Sequence, residues 1–330
     1  MNVPTTMRAL QQTSSRGPRD LRVVTDAPVP VPGPGEVLIR VVGGGINFAD
    51  ISMSYGTFLN GPTPPYLAGF EAAGQVVALG EGVTWPGIGA PVVGVGSGAF
   101  AEYAVLPAAS AIRVPEGWSP QDALGLVVNW PTALAALKPL GRLTAGETVW
   151  IQAAAGATGR AAVTMAKRYG ATVIATASTS KHEVVRALGA DHVLDSRSAD
   201  LAVEVLNLTG GLGADLVLES SGGGTFKTSL ASARRVTGRV VVLGLAGGEA
   251  TLTNWQLVYE HQVHVIGLNI GVLIRAAPEI FGSIMGELTA LIGAGVVTPA
   301  HPTPYDLADG AKALTDLENR ATLGKLALVP

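Results

Sequence analysis

The stretch VWIQAAAGATGRAAVTMAK, residues 149–167, runs from an apolar strand through a turn of small residues into a helix. Ala153, Gly156 and Gly159 hold the three small positions of a dinucleotide-binding turn, with Ala in place of the usual first Gly. With nothing bulky at those positions, backbone N–H groups at the helix N-terminus, those of Ala157 and Thr158 among them, can meet a pyrophosphate. Taken alone, the pattern also fits a tight helix–strand crossing. The segments beyond the turn decide between the two. ATVIATA, DHVLD, ADLVLESS, RVVVLGL and VHVIGL are apolar strands, and KHEVVRALGA, DLAVEVLNLTGG and TFKTSLASARRV between the first four of them read as helices. Continuous apolar strands between helices predict a parallel sheet covered on both faces, so the turn opens the first unit of a doubly wound α/β block.

The end of the second strand, VIATASTSK (173–181), bears on which dinucleotide. A site for NAD carries Asp or Glu about 20 residues beyond the turn to hold the ribose hydroxyls. Here stand Ala177, Ser178, Thr179, Ser180 and Lys181, with no acid until Glu183. A 2′-phosphate needs donors and positive charge, which Ser178 and Lys181 supply and Arg197 after the third strand extends. NADP(H) is therefore the expected cofactor; Lys181 and Arg197 as solvated surface charges is the alternative.

Outside this block the chain changes character. Residues 1 to about 117 are short strands broken by Gly and Pro, such as EVLIRVVGGGI (36–46) and GQVVALGEG (74–82). At 114–141, Ser119 reads as an N-cap and Pro120 as first-turn residue of an apolar helix. Beyond 270 come two helical patterns and a closing strand, GKLALVP. Residues 118–269 are thus assigned to the dinucleotide domain. Residues 1–117 and 270–330 form the other, with the tail rejoining the N-terminal part and a ligand cleft expected between the two.

Composition narrows the function. At 330 residues, 48% apolar and 14% charged, the chain has ample material for two cores. A net charge of −3 without any dense Lys/Arg run argues against nucleic acid. No run approaches the roughly 20 apolar residues of a membrane span, and residues 1–17 lack a signal-peptide core, so a cytoplasmic, membrane-free protein is expected. The chain has no Cys, which removes disulfides and thiolate zinc sites.

Taken in order, VPGPGEVLIRV, GINFADISMSYG, LAGFEAAGQVVALGEGV, NWPTALAAL, QAAAGATG and GKLAL resemble the medium-chain dehydrogenase/reductase superfamily, in its zinc-independent quinone oxidoreductase branch, over nearly all of the chain. The resemblance implies a GroES-like, mainly β catalytic domain built from both chain ends around a Rossmann domain. Metal-dependent members carry Cys within the segment that reads GGGINFAD here, and His where Phe70 precedes Glu71. His182, His192, His261, His264 and His301 are scattered, so no metal site is expected. Glu71 then reads as a buried carboxylate bonded to backbone N–H groups or an Arg, ahead of direct catalysis.

The resemblance also places site residues. Asn47 is expected near the nicotinamide, bonding the acceptor carbonyl or cofactor. Asp50 either orients Asn47 or caps the following helix. Tyr55 either donates to the substrate or is a packed aromatic with a satisfied hydroxyl. Thr132 is expected on the nicotinamide side, with Trp130 narrowing the pocket or packing. Gly244, Leu245, Leu268 and Asn269 are expected to frame the nicotinamide with their backbones, and Lys325 is a cofactor contact or a surface pair. Without a metal to polarise an alcohol, the remaining chemistry is hydride transfer from NADPH to a quinone or to the C=C of an α,β-unsaturated carbonyl. An enoyl-thioester reductase and a non-catalytic NADPH-binding protein are the competing readings. A homodimer through the VHVIGL sheet edge is expected.

Overall fold

Trp150 is fully buried, and around it the computed structural model, which describes residues 3–330, closes a core of Ile174, Val217, Leu230 and Val240. These residues come from a six-stranded parallel sheet and the helices on its faces. Its order is His192–Asp195, Thr172–Ala177, Thr148–Ile151, Leu216–Glu219, Arg239–Val242, His264–Gly267. That is the doubly wound order in which the first strand lies beside both the second and the fourth, so the crevice at its carboxyl end is the switch point. The central strands Thr172–Ala177 and Leu216–Glu219 are almost wholly buried, which is why they read as unbroken apolar runs rather than alternations. The expected α/β class is found.

The rest is mainly β. Leu21–Pro28, Thr6–Gln12 and Tyr66–Leu67 make a three-stranded sheet. A seven-stranded sheet is built on Glu36–Ile46, which pairs antiparallel with Glu71–Leu79, Tyr103–Pro107 and the closing strand Leu326–Val329. Leu326 stands opposite Ile46 and Leu328 opposite Gly44, so the tail does rejoin the N-terminal part.

Contacts divide the chain into two units, Met1–Val127 with Pro299–Pro330, and Val128–Thr298. Both boundaries lie beyond the sequence-based 117/118 and 269/270. The helix Pro278–Gly293 packs on Asn129–Leu137, and the Tyr169 hydroxyl donates to Glu287, which ties residues 270–298 to the dinucleotide unit. The helix expected from Ser119 is also broken. Only a 3-10 turn, Gln121–Ala123, forms before Gly125 takes φ +95, and the α-helix begins at Asn129. Residues 270–276 are helical, and Thr303–Asp306 is a strand paired parallel with Leu326–Val329; the sequence reading had neither. No helix among the described residues is long and apolar enough to cross a membrane.

Candidate functional site

In the dinucleotide unit, the turn after Thr148–Ile151 is tied on both sides. The Gln152 N–H donates to the Leu218 carbonyl at 3.2 Å, and the Ala154 N–H to Thr176 at 3.0 Å. Ala153 sits at φ +47, left-handed backbone that costs a residue with a Cβ about 1–2 kcal/mol and that Gly would occupy freely. A Cβ on Gly159 would lie 2.3 Å from the Ala153 carbonyl oxygen and 2.6 Å from the Ala154 Cα. Only Gly lets the helix Ala157–Arg168 start this close to the turn. Gly156 caps that helix without a side-chain hydrogen bond, so the first N–H groups and the positive helix end are left for an anion. The residues present fit a dinucleotide pyrophosphate.

The neighbouring expected residues are arranged around this sheet end. Asn129 Nδ2 donates to Thr158 Oγ1 at 3.0 Å, anchoring the Asn129–Leu137 helix to the turn, and Thr132 Oγ1 donates back to the Val128 carbonyl at 2.6 Å. Ser178 opens the loop after Thr172–Ala177, and Lys181 N–H donates to its carbonyl at 2.8 Å. Arg197 lies on the adjacent loop, exposed, with its N–H on Asp195 Oδ1 at 3.1 Å. Thr179 Oγ1 donates to the other Asp195 oxygen at 3.1 Å. Asp195 is not among the expected site residues: it does not follow the second strand along the chain but reaches that strand's end through register with Ala177. The Arg197 N–H is the chief cause holding its carboxyl below the usual range. Gly244 approaches so closely that a Cβ would meet the Ser220 carbonyl at 2.3 Å, while Leu245 is exposed. Leu268 N–H bonds the Val242 carbonyl at 2.8 Å, and Asn269 caps the helix Ile270–Ala276 by accepting from Val272 N–H at 3.1 Å.

In the β unit, Asn47, Asp50, Glu71 and Lys325 form one buried polar cluster, each at most 6% exposed. Lys325 Nζ donates to Glu71 Oε2 at 2.6 Å, to Asn47 Oδ1 at 2.8 Å and to the Ile46 carbonyl at 3.2 Å, so its three donors are matched. Asn47 Nδ2 donates to Glu71 Oε2 at 2.8 Å and to the Gly45 carbonyl at 3.2 Å. Both amide hydrogens are thereby committed; donation to an acceptor carbonyl would require breaking one of these bonds. Glu71 Oε1 accepts from Gly125 N–H, one residue after the chain leaves the helical path at Leu124. A Cβ on Gly45 would lie 2.8 Å from Glu71 Cδ; the glycine run of GGGINFAD makes room for this carboxylate. The buried role read for Glu71 is what the geometry shows, with Lys325 in place of an Arg. Lys325 is a buried partner rather than a surface pair.

Asp50 closes the cluster. Its Oδ2 accepts the Asn47 N–H at 2.8 Å, making Asn47 and Asp50 the capping box of helix Phe48–Ser54. Its Oδ1 is buried without a hydrogen-bond partner. Glu71 and Lys325 already neutralise one another, so burial pushes the Asp50 carboxyl up to about 7. Tyr55, at the end of the same helix, is 37% exposed and bonded to Glu318, the chief cause of its raised pKa. Its ring lies against Gly17, where a Cβ would come within 2.4 Å. Both Asp50 roles read from the sequence are thus one bond, and Tyr55 sits with its hydroxyl satisfied. Among the described residues no three His, Asp or Glu stand together as a metal site.

Two family models match, an alcohol dehydrogenase GroES-like domain over residues 33–116 and a zinc-binding dehydrogenase domain over residues 157–289. The chain is 33% identical, with TM-score 0.90, to a mycobacterial protein, Rv1454c, solved with NADPH; the match covers 98% of this chain and 100% of that one. It belongs to the medium-chain dehydrogenase/reductase superfamily. Within that superfamily it falls in the quinone oxidoreductase branch, with the GroES-like plus Rossmann architecture. The Escherichia coli quinone oxidoreductase complexed with NADPH is 29% identical at TM-score 0.90, over 98% and 100% of the two chains. The CurK enoyl reductase is 27% identical at TM-score 0.88, over 99% of each. Among curated relatives of this superfamily member, the synaptic vesicle membrane protein VAT-1 homolog of Rattus norvegicus is 31% identical over 91% of this chain and 78% of its own. The erythronolide synthase EryA2 of Saccharopolyspora erythraea is 35% identical over 89% of this chain, which spans only 8% of that relative's length.

Proposed function

We propose that this oxidoreductase uses NADPH to deliver hydride to a quinone or to the C=C of an α,β-unsaturated carbonyl, without zinc, in the cytoplasm. The observation that carries the reading is the glycine-dependent turn at the switch point of the doubly wound sheet, in a chain matched end to end by two neighbours whose structures contain NADPH. NADPH, when bound, supplies the hydride. Ala153, Gly156, Ala157, Thr158 and Gly159 take the pyrophosphate, and Ser178, Lys181 and Arg197 the 2′-phosphate. Thr132, Gly244, Leu245, Leu268 and Asn269 border the nicotinamide side.

Asn47, held by Glu71 and Lys325, is in this reading a positioning residue that fixes the start of helix Phe48–Ser54, and Asp50 fixes Asn47 in turn. Tyr55 contributes through its place on that helix. The proton that completes the reduction comes from solvent. Zinc is not used because the donor set does not fit it: Phe70 precedes Glu71, and Glu71 is spent on Lys325, Asn47 and Gly125. The test is NADPH oxidation across quinones, enones and enals; no turnover with any of them ends the proposal. Likeness to CurK supports a second reading, enoyl-thioester reduction, which predicts that crotonyl-CoA outruns every free enone. We also infer a homodimer through the edge strand His264–Gly267, where Val265 is 38% exposed. Sedimentation at micromolar concentration checks it, and a monomer only would refute it.

A further inference from the structure

The β unit contains an apolar groove of about 710 Å³ that the polar cluster does not use. Met7, Met53, Phe58, Tyr66, Phe70 and Tyr103 line it, with prolines and glycines between them. No Lys, Arg, His, Asp or Glu side chain lines it among the described residues. The volume is that of a small-molecule site rather than a packing defect. Its walls also lead back to the cluster. Met53 follows Asp50 by three residues on helix Phe48–Ser54 and shares its face. Phe70 directly precedes Glu71. Tyr66 feels both burial and the Asp50 charge, which together raise its hydroxyl to about 12.

We propose that this groove seats the uncharged hydrocarbon tail of the acceptor, a linear alkyl or alkenyl substituent on the enone or quinone head. The inference rests on the reductase reading and names its substrate class. An apolar wall rewards every methylene removed from water, and the lack of any cation leaves nothing to compensate a charged tail. Phosphate-bearing carriers gain nothing there. A free alkyl chain does.

The test is a series of alkyl vinyl ketones, from methyl to decyl, with NADPH in excess. The expected result is kcat/KM rising roughly three- to fourfold per methylene until the groove fills, carried by KM while kcat stays level. Ser97 lies at the groove, exposed and outside both the cofactor site and the polar cluster. Ser97→Trp should flatten the rise and leave the methyl ketone unchanged, and a carboxylate at the tail end should abolish the gain. A wild-type series without length dependence, or an equal gain for the carboxylate, overturns the proposal while leaving the reductase reading intact. Calorimetric binding of the matching saturated ketones needs no turnover. Affinity that rises with length and falls in Ser97→Trp supports the groove even if no acceptor is reduced, an outcome that instead sinks the reductase reading. Affinity indifferent to length and to Ser97→Trp overturns the groove assignment.

Discussion

Replacing Lys325 by Met keeps much of the side-chain volume and removes the only cation that the cluster offers Glu71. Glu71 is 0% exposed and Lys325 5%, so water cannot take over. The carboxylate would keep the Gly125 and Asn47 donors but lose its counter-charge, while Asn47 Oδ1 and the Ile46 carbonyl each lose a donor. Removing one partner of a buried pair costs about 3–5 kcal/mol, whereas removing both charges together costs far less. Lys325→Met is therefore expected to lower unfolding free energy by about 3–5 kcal/mol. Glu71→Gln with Lys325→Met should recover at least about 2 kcal/mol relative to the sum of the single changes. Urea denaturation, with hydrogen exchange read on strands Glu36–Ile46 and Glu71–Leu79, measures both. A Lys325→Met cost below about 1 kcal/mol, or strict additivity in the double variant, would refute the claim that this pair organises the cluster.

The same geometry sets three further outcomes. Asp50 has its folded pKa raised to about 7, so the folded state keeps a proton that the unfolded chain releases near pH 4. Its contribution to stability should fall as pH rises from about 4 to about 7, by up to roughly 4 kcal/mol; urea midpoints for Asp50→Asn should lack that slope, and an unchanged slope would contradict the assignment. Gly159→Ala places a Cβ into the Ala153 carbonyl and should weaken NADPH binding at least about tenfold, that is about 1.4 kcal/mol, with circular dichroism unchanged; wild-type affinity in nucleotide titrations would count against the turn. Lys181→Ala and Arg197→Ala should each cost roughly tenfold in NADPH affinity, in line with charge-assisted hydrogen bonds, while NADH affinity stays level. Equal losses for both nucleotides would place these residues elsewhere.

The dinucleotide block was legible because its signals are local. Unbroken apolar strands, small residues at three fixed turn positions and helices between them each carry their own physical reason. The polar cluster was legible only in part, because its logic is long-range. Glu71 reaches Asn47 only when Glu71–Leu79 pairs with Glu36–Ile46, and Lys325 joins them only when Leu326–Val329 pairs with that same strand. Gly125 looked like a residue inside a helix; nothing nearby in sequence says that its N–H serves Glu71. Gly44 and Gly45 did carry a signal. A glycine run at the end of a central strand marks a close approach, here of Phe100 and Glu71. Asp195 escaped for a related reason, since strand register rather than chain distance brings it to the second strand's end.

The central claim is hydride transfer from NADPH to an electron-poor acceptor without a metal. The direct measurement follows NADPH absorbance with a medium-chain alkyl vinyl ketone and with a simple quinone, before and after exhaustive chelation. The account predicts turnover that chelator leaves unchanged and that NADH supports poorly. Activity lost on chelation and restored by zinc, or tight NADPH binding with no turnover of any acceptor, would contradict it.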